Sequence, residues 1–397
     1  AIYLVEAKIV MRWLSGPFRE VMFAATNLVV FYWLYMAGHV HCATAAIDYL
    51  CIVLLQYGMM RAFADKAGRR PWLAFFTPIG FLVLARYLPL CLPAVAAAKL
   101  DKIIPFPPAT YLVGISYLAF RTSLLVLEVR NGRVKRPGLW EYLGYCFFVP
   151  TALIGPINAY SNYRRGFENP PPEIPAGRAL MRILVGLVKY QFLSLFFNRL
   201  TFERFLLNEH PHHWIDLGIA SVAYYIFMYL NFSGFCDMVI GAAGLLRIPV
   251  AENFNDPMLA RNVKEYWNRW HMTLSGYMRD VVFAPLSKYL AQLFGPANVN
   301  HAIAVTIMVV FLLIGIWHGV GLNYALFGVA HGVGLVINHY YTIALKKRLG
   351  RDGFKAYNSN RWIQAAATVL TFLYVSAAFF LFANTVAEMK TILGAMR

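Results

Sequence analysis

Apolar runs alternate along most of this chain with short basic segments. An α-helix needs about 20 mostly apolar residues to cross the hydrocarbon of a bilayer. The pattern predicts spans near Val21–Gly38, Ala43–Met60, Trp72–Leu92 and Pro108–Val129. The first run is too long for the core of a signal peptide. Glu141–Ile157 is apolar but short and ends in Gly155-Pro156, so it either spans or enters and returns. The polar stretch Asn158–Pro175 follows, then spans at Arg178–Phe197 and Trp214–Asn231 and an apolar segment at Gly234–Leu246. Asn253–Asp280 breaks the pattern, being rich in charge and aromatic rings between apolar neighbours. Backbone of that kind is tolerated at membrane depth only inside protein or along a wet cavity. Val281–Phe294, Ala302–Trp317 and Gly321–Ala344 come next, then a polar loop from Lys346 to Arg361 and a last span at Trp362–Ala383.

The expected architecture is all-α and polytopic, with about ten or eleven transmembrane helices plus re-entrant segments. It divides into N-terminal helices (1–107), a core (108–345) and a polar loop with a C-terminal helix (346–397), all within one membrane domain. No internal repeat is visible, which weighs against a transporter of duplicated halves. Gly315-x-x-x-Gly319 and Gly328-x-x-x-Gly332 each offer a helix face that a neighbour can approach closely.

Composition strengthens the membrane reading. Of the 397 residues 59% are hydrophobic and 14% charged, against norms of roughly 45–50% and 25% for globular domains. Lys and Arg number 36 against 19 Asp and Glu, a net +17. Three basic groups, Arg12/Arg19, Arg61/Lys66/Arg69/Arg70 and Arg130/Arg133/Lys135/Arg136, are each separated by two spans. All therefore fall on one side, which the positive-inside rule makes cytoplasmic. Short basic loops between spans exclude nucleic acid as a partner and suit membrane lipids with anionic heads or an acidic protein. The cysteines (Cys42, Cys51, Cys91, Cys146, Cys236) form no CxxC pair and read as small hydrophobes.

A chain with so few charges hides its titratable groups for a reason. His39 and His41 sit at a loop edge, and His210, His212 and His213 share a proline-broken loop that is no known ligand frame, so no metal site is expected. On a continuous helix Trp267, His271 and Ser275 would share one face, beside Asn268, Arg269 and Trp270. That face suits either a wet interior or an aromatic belt holding a bonded histidine. His318 ends an apolar run in Trp317-His318-Gly319. A neutral imidazole there can take a proton from a hydroxyl near pH 7. His331 follows 13 residues later, about 220° around a continuous helix. The two rings meet only if the chain breaks at Gly319 or Gly321, and His331 reads as a supporting group. Arg121 and Glu128 share a face within a span and read as a buried ion pair. Asp237, after Ser233-Gly234, either orients a histidine or pairs with an arginine.

These segments resemble the membrane-bound O-acyltransferase (MBOAT) family. The resemblance rests on Asn253-Phe254-Asn255-Asp256-Pro257, on Tyr266–Ser275 with Arg279-Asp280, on Trp317-His318-Gly319 and on Gly328-x-x-His331-Gly332. Phe232-Ser233-Gly234-Phe235 is a weaker third patch. Gly114–Arg121, Pro150-x-x-x-x-Gly155-Pro156-Ile157 and the 47-residue gap from His271 to His318 look most like the D-alanyl-transferring, DltB-like branch. The resemblance covers roughly residues 110–340. It implies a helical funnel or tunnel through the bilayer, with His318 catalytic and His271 supporting. Trp267, Asn268, Arg269, Trp270, Ser275, Trp317, Gly319, Ser233 and Asp237 are expected to line the passage, with His331, Arg121 and Glu128 behind them. It also implies no tightly bound cofactor. The donor would be a cytoplasmic thioester on the phosphopantetheine of an acyl carrier protein or on CoA. The acceptor would be a hydroxyl of an envelope polymer, glycan or lipid, reached with an extracytoplasmic partner protein at a bacterial inner or plasma membrane. Acetyl transfer to an exopolysaccharide, as in alginate acetylation, is the alternative within the class. A transporter without chemistry is the alternative outside it.

Overall fold

The computed structural model describes residues 2–35, 42–91, 114–202 and 213–396. His39, His41, His210 and His212, and residues 108–113 of the expected fourth span, lie outside them. The described residues are helical, and no strand occurs among them. Among the described residues five helical stretches are long and apolar enough to cross a membrane: Ala46–Phe63, Ala176–Asn198, Trp214–Leu245, Pro296–His318 and Arg361–Ala383. The chain forms two compact units, one of residues up to Val185 with Phe235–Ala251, the other of Gly186–Gly234 with Glu252–Arg397. These bounds do not coincide with 107 or 345.

In the first unit, α1 (Ile2–Trp13) and α2 (Gly16–Tyr35) precede α3 (Cys42–Phe63), α4 (Pro71–Cys91) and α5 (Ile115–Arg130). Glu141–Ile157 is not one helix. It breaks into α6 (Leu139–Cys146) and the single turn α7 (Val149–Ala152), then a coil whose Gly155 adopts φ 123°. The polar stretch after it contains α8 (Tyr160–Glu168). Phe23, Phe148, Tyr163 and Phe167 form an aromatic core with centroids 5.1–6.4 Å apart.

Arg121 and Glu128 do not form the expected ion pair. The Arg121 guanidinium lies 4.5 Å from the Tyr145 ring centre and donates to the Thr151 carbonyl (3.2 Å) and the Tyr145 carbonyl. Glu128 accepts from the Tyr160 and Ser161 amides (3.0 and 3.3 Å) and the Ser161 hydroxyl (2.5 Å). It serves as the anion at the N-terminus of α8, where free N–H groups favour one. Seven residues place two groups on one helix face, but orphaned backbone groups on neighbouring segments compete for them.

Two further expectations are corrected. Trp214–Asn231 and Gly234–Leu246 are one helix, α10 (Trp214–Leu245), following α9 (Ala176–Asn198). Gly234 does not break it. A Cβ there would lie 2.7 Å from the Gly186 carbonyl oxygen, so the glycine serves close helix approach. In the second unit α11 (Val263–Arg269) and α12 (Met272–Met278) are followed by a π turn, α13 (Ala284–Phe294) and α14 (Val299–His318). The loop expected at Lys346–Arg361 is instead the end of α15 (Leu322–Ser359), kinked at Gly350, where φ is 66°. Its Ala, Leu, Lys and Arg are strong helix formers. The last span is α16 (Arg361–Ala383). A further helix, α17 (Val386–Ala395), begins with a Thr385/Glu388 capping box.

Candidate active site

The break between His318 and His331 falls at the two glycines. Helix α14 ends on His318, Gly319 is extended, and α15 starts at Leu322. A Cβ on Gly319 would lie 2.0 Å from the Tyr324 ring. The same two helices close on each other at Gly315 and Gly328. A Cβ on either would sit 2.3 Å from a carbonyl oxygen across the interface, Tyr324 O or Phe311 O. The small-residue faces therefore act in packing, as their spacing predicted.

This approach folds His331 back beside His318. The half-buried His318 ring lies 4.6 Å from Trp317, 5.0 Å from Phe382 and 6.1 Å from Phe327. Phe327 is in turn 4.6 Å from His331, which is fully buried. The Trp267 indole N–H donates to His331 Nδ1 at 3.2 Å. An indole cannot accept, so Nδ1 carries the lone pair and Nε2 the proton of the neutral ring. Tyr266 stacks on the other side at 5.9 Å.

His271 is presented differently. Helix α11 ends at Arg269, Trp270 is extended, and His271 takes a left-handed conformation (φ 43°, ψ 52°) before α12. Trp267, His271 and Ser275 therefore do not share the single helix face expected of them. Trp267 serves His331, while the Ser275 hydroxyl donates to the Trp270 carbonyl at 3.4 Å. The His271 ring is buried, 4.8 Å from Phe232 and 6.3 Å from Trp317. Asn253 Oδ1 accepts from the Thr273 amide (3.2 Å) and hydroxyl (2.9 Å) and stands 3.1 Å from His271 Nδ1. Because the backbone amide fixes that atom as oxygen, His271 Nδ1 is the donor. Its Nε2 is then a bare lone pair, buried and without a hydrogen-bond partner. Burial first, and the charge of His318 second, push the imidazolium down to about 3, so His271 is neutral.

Other expected residues are used elsewhere. Arg269 pairs with Glu265 at 2.9 Å and donates to the Asn255 carbonyl. Trp270 packs among Tyr225, Tyr266, Phe254 and Phe379. Ser233 is buried and its hydroxyl has no hydrogen-bond partner among the described residues, while Asn268 is exposed. In the first unit, Asp237 pairs with Arg182 at 3.0 Å. A cavity of about 810 Å³ in the second unit is lined by Trp267, Asn268 and Ser275, by apolar Ile303, Ile307 and Phe311, and by cationic Lys264, Arg279 and Lys346. Neither His271 nor His318 lines it. Trp267 connects it to the histidines through His331.

Asn253 was missed as a site residue, although it stands in the segment that carries the resemblance. The signal was an amide preceding a histidine in a polar interruption between spans. Nothing local marked it as that histidine's anchor, because the contact bridges 18 residues.

The chain is 30% identical over 288 residues to a teichoic acid D-alanyltransferase of Streptococcus thermophilus, covering 68% of each. It is 29% identical over 328 residues to the teichoic acid D-alanyltransferase of Bacillus subtilis, covering 76% of each. A probable alginate O-acetylase of Pseudomonas aeruginosa is 25% identical over 273 residues, covering 68% of this chain and 48% of that one. The profile of MBOAT, the membrane-bound O-acyltransferase family, matches residues 20–382. That match takes in the segments of all three interior histidines, and the protein belongs to the membrane-bound O-acyltransferase family as an all-α, multi-pass membrane enzyme that transfers acyl groups to oxygen.

Proposed function

We propose that the enzyme moves a D-alanyl-like acyl group from a cytoplasmic thioester to a hydroxyl of an envelope polymer, glycan or lipid in a bacterial plasma membrane. The observation that carries this reading is the grouping of His318 with a neutral, Nε2-bare His271 around Trp317. A thioester is already activated, so transfer needs a base and an aligned acceptor rather than a protein nucleophile. The acceptor oxygen attacks the thioester carbon while His318 takes its proton. The C–S bond then breaks, and the proton passes from His318 to the departing thiolate. His271, kept neutral, accepts a hydrogen bond and adds no charge that would oppose protonation of His318. The cavity beside Trp267 suits the donor arm, with cations for its phosphate and an apolar wall for its chain. A basic cytoplasmic face steers an acidic carrier protein, and the two teichoic acid D-alanyltransferase relatives favour a D-alanyl group as the one moved. The acceptor's location across the membrane calls for an extracytoplasmic partner. Acetyl transfer, favoured by the alginate O-acetylase relative, remains the second reading.

The test supplies purified protein with labelled D-alanyl carrier protein and, separately, with labelled acetyl-CoA. Transfer from the carrier and not from acetyl-CoA is expected. His318→Ala should lower it by about 10²–10⁴-fold, the worth of general base catalysis, with carrier binding unchanged. Retained transfer in that variant refutes the role of His318, and label taken from acetyl-CoA alone refutes the donor.

A further inference from the structure

The first unit holds a second cavity, of about 390 Å³. It is lined by Lys8, Arg12, Arg19, Glu173 and Arg247, with Leu245 and Leu246. Lys8 is paired with Glu173 at 3.4 Å. Among the described residues Arg12, Arg19 and Arg247 have no carboxylate at ion-pair distance. Two of these guanidiniums are nonetheless held in place. Arg247, on a left-handed backbone (φ 57°), donates Nε–H to the Pro171 carbonyl at 3.0 Å. Arg19 donates to the Phe167 carbonyl at 3.1 Å and lies 5.3 Å from the Phe167 ring centre, while its buried Nε–H meets no acceptor. Arginines fixed by carbonyls, with donors left over, form a receptor for an anion with several acceptor oxygens, as a phosphate has.

Helix α1 tells which phosphate. Ile2, Val5, Ile9 and Trp13 are all exposed, Ile2 and Trp13 at 76%. At 100° per residue they fall within about 80° of arc, a continuous apolar stripe. Lys8 and Arg12 stand along one flank of that stripe, between it and the buried face of Ala7 and Val10. A helix with an apolar face and cations beside it lies in the membrane interface, its apolar side among acyl chains and its cations at headgroup depth. Arg12 and Arg19 also belong to the basic set that the positive-inside rule puts on the cytoplasmic side, where anionic lipids attract basic pockets.

We propose that this pocket binds the phosphate of an anionic phospholipid, whose chains lie along the Ile2–Trp13 stripe. The test uses the full-length protein, delipidated in detergent, with binding read by native mass spectrometry and thermal shift. Phosphatidylglycerol, phosphatidylcholine and inorganic phosphate are the probes. One phosphatidylglycerol per chain should bind in preference to phosphatidylcholine. Each cation contributes about five-fold at a membrane surface, so K8Q/R12Q should bind about 25-fold more weakly. Removing the one carboxylate in Glu173→Gln should tighten binding, a change of sign that a folding defect cannot produce. Equal binding of phosphatidylcholine, an equal shift with inorganic phosphate, or unaltered affinity in K8Q/R12Q would each overturn the proposal.

Discussion

Asn253 is the residue on which the chemistry of His271 depends, and replacing it separates positioning from packing. Its Oδ1 accepts three hydrogen bonds within 3.2 Å, from Thr273 N, Thr273 Oγ1 and His271 Nδ1, in a site where the side chain is 1% exposed. Asn253→Ala removes three hydrogen bonds, one from buried His271 and two from half-buried Thr273. At about 1–1.5 kcal/mol for each lost bond, the expected cost is about 3–4.5 kcal/mol. It also frees His271 to adopt either tautomer, so transfer should fall further than the loss of folded protein explains. Asn253→Asp is the informative counterpart. A carboxylate accepts from the same three donors, and an anion about 4 Å from the ring favours imidazolium by about 4 kcal/mol at an effective dielectric of 20. His271 then becomes protonated in the range where free histidine titrates. The assay is acyl transfer from pH 5 to 8 with folded fraction measured in parallel. Asn253→Asp should fold, transfer at high pH, and lose transfer as the pH falls, as an imidazolium at 271 opposes the one forming at 318. A pH profile identical to that of the unaltered enzyme would refute the argument, as would full transfer by Asn253→Ala.

Three other expectations follow from geometry already described. Gly328→Ala places a methyl 2.3 Å from the Phe311 carbonyl oxygen. Backbone cannot yield as a side chain does, so the thermal midpoint should fall by the equivalent of about 3 kcal/mol, and an unchanged midpoint would contradict the close approach of α14 and α15. Glu128→Ala removes three hydrogen bonds from the start of α8 and should cost about 2–4 kcal/mol, with transfer per folded molecule unchanged if Glu128 serves only the scaffold. The third concerns pH and stability. Buried His271 stays neutral down to about 3, whereas the unfolded chain protonates it below about 6.5. Stability from this residue is therefore complete above that pH and declines by about 1.4 kcal/mol per pH unit on acidification. Thermal scans at pH 7.5 and 5.5 should show a smaller acid loss in His271→Gln than in the unaltered protein.

Much of this was readable from the chain, and the failures share a cause. The break at Gly319 and Gly321 and the packing role of Gly315 and Gly328 are local matters of backbone freedom and side-chain size, which sequence states directly. The turn at His271 is not. Trp270-His271-Met272 holds neither glycine nor proline, and the left-handed backbone there is fixed by Asn253, whose own carbonyl also accepts from the Met272 amide at 2.9 Å. Arg121 and Glu128 failed similarly. Their spacing was right for a shared face, but their partners are carbonyls and amides of α6, α7 and α8. Polarity misled at Lys346–Ser359, where helix propensity outweighed the absence of an apolar face.

The contact of α14 with α15 at Gly315 and Gly328 has a consequence for how such an enzyme can change. His318 sits three residues beyond Gly315, so its place is set by main chain against main chain. Around it the Tyr324, Phe327 and Phe382 rings complete the packing. The walls of the cavity at Ile303 and Ile307 belong to earlier turns of the same helix, before the contact of Gly315 with Gly328. On the proposed function, substitution there reshapes the room for a donor while leaving His318 in place. On that reading one backbone can serve acyl groups of different size, with its tolerance gathered in the lining and its intolerance at Gly315, Gly319 and Gly328.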